Sequence, residues 1–220
     1  MKKIFNLILI VVFVILVTGV INFNRTTIFS CLLSFLFIFG TNVLQKKLGF
    51  NDLLKLLIYL FIIVTEVLGE VCHFYTRFEW FDIIVHTYSS FVVSYIGLYL
   101  IKNIYYKINK RIVMLFVFAF AMMVEAMWEI GEFSIDRLFD KDMQKDTIIN
   151  EVVSDYFSLN NDVPTRIMVN DITIKSDSYV YEYSGYIDIG LYDTIGDMVC
   201  ACIGSIIFII GMSREIRFIS

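Results

Sequence analysis

Several motifs are missing from this sequence, and each absence excludes a class of protein. No basic patch with interleaved aromatic residues is present, so we expect no nucleic-acid partner. The chain also lacks a CxxC pair, an HExxH motif, a Gly-rich phosphate loop and a Ser–His–Asp order, each of which would indicate a familiar enzyme class. Its four cysteines lie in or at the end of apolar runs, which favours small buried side chains over disulfides or thiolate metal ligands.

Apolar residues dominate what is present. The chain is 58% hydrophobic, its mean hydropathy is +0.74, and its single proline, Pro164, lies outside the apolar runs. Soluble domains contain roughly 45–50% apolar residues, so this composition predicts an integral membrane protein.

Six apolar segments each approach the ~20 residues that a bilayer requires, which predicts an all-α, polytopic fold with six transmembrane helices. They are residues 4–21, 27–44, 53–73, 82–101, 112–133 and 190–211. We interpret the first as a retained helix, because it is long for a secretory signal and no A-x-A cleavage site follows it. The predicted divisions are 1–138 with helices 1–5, 139–188 as an extracytoplasmic cap, and 189–220 with helix 6 and a cytoplasmic tail.

The positions of lysine and arginine predict the orientation of these helices. With the N-terminus inside, the segments on the cytoplasmic side carry most of the basic residues, namely Lys2, Lys3, Lys46, Lys47, Lys55, Lys102, Lys107, Lys110, Arg111, Arg214 and Arg217. The opposite side has Arg25, Arg77 and Arg137, besides a few in the long loop. We therefore expect both termini in the cytoplasm.

The polar segment before the last predicted helix has patterns of its own. Residues 147–157 place five side chains at helical spacing, Ile148, Ile149, Val152, Val153 and Tyr156. This spacing predicts a surface helix. Residues 166–175 and 179–189 alternate with period two on either side of a polar turn, which predicts a β-hairpin. The resulting cap is either a plain cover or a substrate lid.

Ionisable residues recur at the predicted outer ends of four helices. The sets are Glu66, Glu70 and His73; Asp82 and His86; Glu125, Glu129, Glu132 and Asp136; and Asp193 and Asp197. Spacings of three and four residues place each set on one helical face. A charge at the bilayer centre costs roughly 2.5–3.5 kcal/mol, so we predict that the four faces meet around a polar pocket open to the outside.

The residue types in this predicted pocket are those that bind hard or borderline divalent metals, such as Zn, Mg or Mn. Glu70 and His73 have the Glu-x-x-His spacing of carboxylate di-metal bundles, although a second such motif is missing. The predicted metal ligands are Glu70, His73, Asp82, His86, Glu125, Glu129, Glu132, Asp193 and Asp197. A surplus of carboxylates also suits a proton or cation pathway, and this alternative stays open.

The chain resembles the YjdF-like family of uncharacterised bacterial inner-membrane proteins in four motifs: WFDIIVH (80–86), EAMWEIGEFSID (125–136), MQ (143–144) and GLYDTIGDMVCACIGS (190–205). The resemblance covers about Glu70 to Ser205 and implies a small multi-pass protein of the bacterial plasma membrane. A more distant similarity to VanZ-like proteins, which are linked to glycopeptide resistance, implicates Asp82, His86, Glu129, Glu132, Asp197 and Gly204. Two features depart from the YjdF-like pattern: Ala201 stands where an acidic residue is usual, and the segment from Gln144 to Gly190 is longer.

Three functions are compatible with such a pocket. The first is a metal-dependent hydrolase or transferase that acts on a lipid or lipid-linked cell-envelope substrate. Its catalytic residues would be Asp82, His86, Glu125, Glu129 and Asp197. The second is a cation- or proton-coupled carrier or a binding protein, which the few polar residues toward the cytoplasmic side disfavour. The third is a structural role, in which carboxylates bind a divalent ion to hold the helices together.

Overall fold

Helices account for most of the computed structural model, which describes residues 2–104, 108–139, 142–157 and 164–212. Its α-helices are α1 (Lys2–Ile21), α2 (Arg25–Leu48), α3 (Asp52–Ile62), α4 (Phe74–Arg77), α5 (Glu79–Ile104), α6 (Lys110–Phe139) and α7 (Leu191–Met212). A π-helical segment, Ile63–Val71, directly follows α3. The predicted all-α, polytopic fold with a small strand-containing cap is confirmed.

Five of the described helices are long and apolar enough to cross a membrane, namely α1, α2, α5, α6 and α7. Side chains such as Leu115 on α6 and Ile210 on α7 are each 68% exposed, which suits residues that face hydrocarbon. The predicted third span, 53–73, corresponds to α3 and the π-helical segment, and the change of helix type at Ile63 divides it. The sixth span therefore stays a prediction.

Polar residues separate the first three helices where the apolar runs break. The Asn24 side chain accepts a hydrogen bond from the Thr27 amide at 3.1 Å and begins α2. The Asn51 side chain does the same for α3, through the Leu54 amide at 2.9 Å. Gly49 ends α2 with φ of 66°, a left-handed conformation that glycine adopts without a Cβ penalty.

Contacts divide the chain into two compact units. The first unit comprises Met1–Met127 and Asp197–Ser220, and the second comprises Trp128–Gly196. The core of the first unit collects buried side chains from several of its helices, including Tyr59, Leu98, Val117 and Phe208. The predicted boundaries after residues 138 and 188 stay predictions. The predicted cytoplasmic tail with Arg214 and Arg217, and likewise Lys107, lie outside the described residues.

Six short strands in the described part of the second unit form three antiparallel pairs. They are β1 (Asp146–Ile149) with β6 (Tyr186–Ile189), β2 (Glu151–Ser154) with β3 (Thr165–Met168), and β4 (Ile172–Lys175) with β5 (Val180–Tyr183). The predicted hairpin is confirmed for β4 and β5, where the Ser176 amide donates to the Tyr179 carbonyl at 2.8 Å. The other halves of the two predicted hairpin segments pair with β1 and β2 instead.

The prediction of a surface helix over residues 147–157 was wrong. This stretch forms β1, β2 and a short 3₁₀ helix, Asp155–Phe157. Its apolar residues are mostly β-branched, so they lose side-chain freedom in a helix and suit a strand. Both strands also gain backbone partners distant in sequence, Tyr186–Ile189 and Thr165–Met168, which a local pattern does not reveal.

Candidate functional site

His86 lies at the centre of a buried cluster within the first unit. Asp82 precedes it by one turn of α5, while Glu125 comes from α6 and Asp197 from α7. His86 Nδ1 lies 2.5 Å from Glu125 Oε1, and His86 Nε2 lies 3.5 Å from Asp82 Oδ1 and 3.4 Å from Asp197 Oδ2. Three predicted helical faces therefore meet at one imidazole, as the sequence spacing indicated.

Burial makes it costly in free energy for the carboxyl groups of this cluster to carry a charge. The side chains of His86, Glu125 and Asp197 are only 6–7% exposed, and that of Asp82 is 13% exposed. A buried carboxylate is stable only when a cation or hydrogen-bond donors compensate its charge. One imidazole faces three carboxyl groups here, a set of donor atoms that can hold a proton or a metal ion.

The two nitrogens of His86 have different surroundings. Nδ1 is paired with Glu125 Oε1, whereas Nε2 is directed toward Asp82 and Asp197. The Nε2 distances of 3.4 and 3.5 Å exceed the ~2.7–2.9 Å of a charge-assisted hydrogen bond. Asp82, His86 and Asp197 also form a group whose ligand atoms all lie within 4.8 Å of one another.

Close contact between α5 and α7 holds this geometry. A Cβ added to Gly204 would overlap the backbone carbonyl oxygen of Thr87, so only glycine permits this approach. One turn away, the Ser90 hydroxyl donates to the Ala201 carbonyl at 2.6 Å. Ala201 is fully buried.

A family model described as "Predicted membrane protein (DUF2238)" matches residues 4–217. The chain belongs to this family. The match covers nearly the whole chain and confirms the YjdF-like resemblance, whereas the similarity to VanZ-like proteins finds no support. No curated protein and no solved structure matches the chain. In this DUF2238 member, two of the four quoted motifs supply Asp82, His86 and Asp197, and a third begins with Glu125.

Three further residues of the predicted pocket accept hydrogen bonds from other residues of the second unit. Glu132 accepts a hydrogen bond from the Trp128 indole at 2.7 Å. Asp136, at the end of α6, accepts from the amides of Met143 and Gln144 at 2.7 and 2.9 Å. Asp193, in the first turn of α7, accepts from the Lys145 amide at 2.9 Å. Asp136 and Asp193 thus hold the backbone of residues 143–145, and the Gln144 side chain of the MQ motif donates to the Thr194 hydroxyl at 2.6 Å.

Glu129 lies one turn after Glu125 on α6 and is 4% exposed. Such burial is unusual for a glutamate and agrees with its selection from the sequence. The roles of Glu129, Glu132 and Asp193 as metal ligands, and of Glu129 in catalysis, stay predictions.

Glu70 and His73 do not share a regular helical face, and that part of the prediction was wrong. Glu70 belongs to the π-helical segment, which ends at Val71, and His73 has φ of 59°, in the left-handed region. Helical spacing therefore does not relate the two side chains, and both are exposed. Among the residues that the structure describes, no group of three potential ligands includes either one. Their assignment as metal ligands stays a prediction.

The second unit also contains an acidic cavity that sequence spacing did not reveal. It has a volume of about 160 Å³ and is lined by Phe133, Asp136, Arg137, Asp142, Gln144, Asp146 and Ile189. Burial, together with the nearby charges of Asp142, Asp188 and Asp136, raises the pKa of Asp146. The β1–β6 pairing brings Asp188 beside this group, and only the strand register could have indicated that.

Proposed function

We propose that the chain binds one divalent metal ion, Zn²⁺, through Asp82, His86 and Asp197. We further propose that it uses this ion for hydrolysis or group transfer on a lipid or lipid-linked envelope substrate of the bacterial plasma membrane. Glu125 is assigned here to orient the histidine rather than to bind the ion. Imidazole with carboxylate oxygens is a donor set that suits zinc better than magnesium.

The distances around His86 Nε2 carry this proposal. Zinc binds nitrogen and carboxylate oxygen at about 2.0–2.2 Å, so two ligands at a tetrahedral angle lie roughly 3.3 Å apart. The separations of His86 Nε2 from Asp82 and Asp197 are 3.5 and 3.4 Å. Three protein ligands with a further position open to water or substrate is the arrangement of catalytic zinc sites.

Each residue has a distinct part in this proposal. Glu125 accepts a hydrogen bond from Nδ1–H and so directs the Nε2 lone pair at the ion, as carboxylates that contact metal-bound histidines commonly do. Asp82 and Asp197 supply two negative charges that offset the charge of the ion. When bound, the ion supplies a Lewis acid that lowers the pKa of a coordinated water or polarises a phosphoryl or carbonyl oxygen.

Elemental analysis of detergent-purified protein tests the metal directly. We expect about one zinc per chain after exposure to zinc and dialysis, and loss of that zinc in Asp82→Asn and in His86→Ala. Glu79→Gln is the matched control, because Glu79 is an exposed acid in the first turn of the same helix. Equal zinc content in Asp82→Asn and Glu79→Gln would exclude the site.

The reaction needs a separate test. Zinc-loaded protein is mixed with vesicles made from bacterial envelope lipids, and released head groups and phosphate are measured by mass spectrometry. We expect release of one product class by the wild type and none by His86→Ala. If the loaded protein leaves every lipid class intact, the catalytic part of the proposal fails while the metal site stands.

A buried line of hydroxyls on α5 favours one alternative, a proton- or cation-coupled carrier. Ser90 and Ser94 follow His86 at successive turns of the same helical face, and both are at most 1% exposed. The Ser94 hydroxyl has no hydrogen-bond partner among the described residues. Ion flux into vesicles containing the protein, lost in both Ser94→Val and Glu125→Gln, would favour a carrier over the enzyme.

A further inference from the structure

We propose that a groove between α5 and α7 binds one hydrocarbon chain of the substrate lipid, whose head group then lies at the His86 cluster. The head-group part of this inference rests on the proposed function. The groove belongs entirely to the first unit.

The groove is apolar and narrow. Its volume is about 280 Å³, and it is lined by Ile83, Ile84, Thr87 and Phe91 of α5 and by Gly204 and Ile207 of α7. Pockets for drug-sized ligands measure roughly 300–1,000 Å³, so this groove suits a slender chain better than a bulky head group.

The few polar groups along the groove are already bonded elsewhere. Tyr88 also lines the groove, and its hydroxyl donates a hydrogen bond to the Leu57 carbonyl at 2.8 Å. Thr87 forms a side-chain hydrogen bond with Cys200. A bound molecule therefore meets hydrocarbon surface rather than donors or acceptors, which selects an aliphatic chain.

Sequence positions place one end of the groove at the same level along α5 as the charged cluster, with the remaining lining residues further along α5 and α7. Ile83 directly follows Asp82, and Thr87 directly follows His86. Phe91 lies nine residues beyond Asp82, and Ile207 lies ten beyond Asp197, which corresponds to about 13–15 Å at 1.5 Å per residue. A charged site level with one end of an apolar groove suits the two parts of a lipid.

The surroundings of the groove decide its occupant. Both α5 and α7 are long and apolar enough to cross a membrane, and Ile84 and Ile207 at the groove are each 50% exposed. In a bilayer these side chains face acyl chains, so a lipid tail enters sideways without crossing water. The contact between Gly204 and the Thr87 backbone keeps the two helices close at this point.

Native mass spectrometry of the detergent-purified protein, titrated with a phospholipid of defined acyl chains, tests the groove. We expect the wild type to retain one phospholipid and Ile207→Trp to bind it at least tenfold more weakly, because the indole fills the groove. Ile206→Trp is the matched control, since its neighbouring, similarly exposed position does not line the groove. Ile84→Trp fills the groove from the opposite helix and replaces Ile207→Trp if that variant does not fold.

The readout separates this inference from the proposed function. Phospholipid retention is measured without metal, and zinc content is measured on the same variants. Weaker phospholipid binding by Ile207→Trp with normal zinc content supports the groove. Equal binding by the wild type, Ile207→Trp and Ile206→Trp overturns it. If the wild type binds no zinc, the proposed function is overturned. The groove still stands in that case, because it is tested by phospholipid retention.

Discussion

At the scale of single residues, both ring nitrogens of His86 contact carboxyl groups of the cluster. In the proposed site, one nitrogen fixes the orientation of the ring and the other binds the metal ion. Glu125 contacts Nδ1, whereas Asp82 and Asp197 lie near Nε2. Sequence spacing predicted that Asp82, His86, Glu125 and Asp197 would lie close together, but it could not say which oxygen faces which nitrogen. That assignment depends on the side-chain torsions and on the angle between helices, and the helical spacing of residues determines neither.

Glu125→Gln tests the orienting role. The amide oxygen of glutamine can still accept a hydrogen bond from Nδ1–H, but it carries no charge. We therefore expect zinc affinity to fall about 10- to 100-fold without disappearing. Competition with a chromogenic chelator measures the affinity, with Glu79→Gln as the control. Complete loss, equal to that of His86→Ala, would make Glu125 a ligand, and an unchanged affinity would deny it any role.

Asp146, at the start of β1 in the cap, lies near three other carboxyl groups that disfavour its charged form. Its pKa is raised above the ordinary 3.8 by burial and by Asp142, Asp188 and Asp136. A raised carboxyl pKa means that the folded state binds the proton more tightly, so this group favours folding below pH 3.8 and loses that contribution as pH rises through the folded pKa.

Asp146→Asn should therefore stabilise the pairing of β1 and β6 at pH 7 and lose this advantage near pH 3. Amide hydrogen exchange of Ile148 and Ile187, corrected for the intrinsic rate at each pH, measures the change. Asp177→Asn, in the exposed turn between β4 and β5, is the control. Faster exchange in Asp146→Asn at pH 7 would show that the charge is compensated instead.

At the scale of elements, apolar run length predicted the long helices well, since a bilayer-spanning helix needs little besides continuous hydrophobicity. The break at Ile63 was not predictable, because a π-helix depends on one inserted residue and on tertiary packing rather than on composition. The misassigned stretch 147–157 failed for a related reason. Its apolar spacing fits a helix rather than an alternating strand, and backbone pairing with distant strands overrode that local pattern.

The approach of α5 to α7 depends on Gly204. Because an added methyl would meet backbone rather than a movable side chain, we expect Gly204→Ala to destabilise the protein by about 1–3 kcal/mol and to weaken zinc binding. Gly211→Ala on the same helix is the control, since among the described residues nothing outside its own helix backbone and chain neighbours lies within 4 Å of its Cβ position. Thermal unfolding in detergent, with and without zinc, compares the two. Equal stability in both variants would mean that the helices can separate at no cost.

At the scale of the whole molecule, the number of crossings decides which groups share a side of the membrane. Lys47 is exposed in the last turn of α2, and Asp177 is exposed in the cap. Between them lie α5, α6 and the helical stretch Asp52–Val71, whose π-helical half leaves its status as a span untested. Three crossings put the two residues on opposite sides, whereas two crossings put them on the same side.

Labelling of single cysteines in intact cells distinguishes these cases. In a variant without Cys31, Cys72, Cys200 and Cys202, we expect an impermeant maleimide to label Asp177→Cys and to leave Lys47→Cys unlabelled until the cells are permeabilised. This outcome follows from the excess of lysine and arginine on the predicted cytoplasmic side. Labelling of both in intact cells would mean that Asp52–Val71 does not cross, and it would remove Glu66 and Glu70 from the membrane interior. Labelling of Lys47→Cys alone would reverse the orientation and place the His86 cluster at the cytoplasmic face.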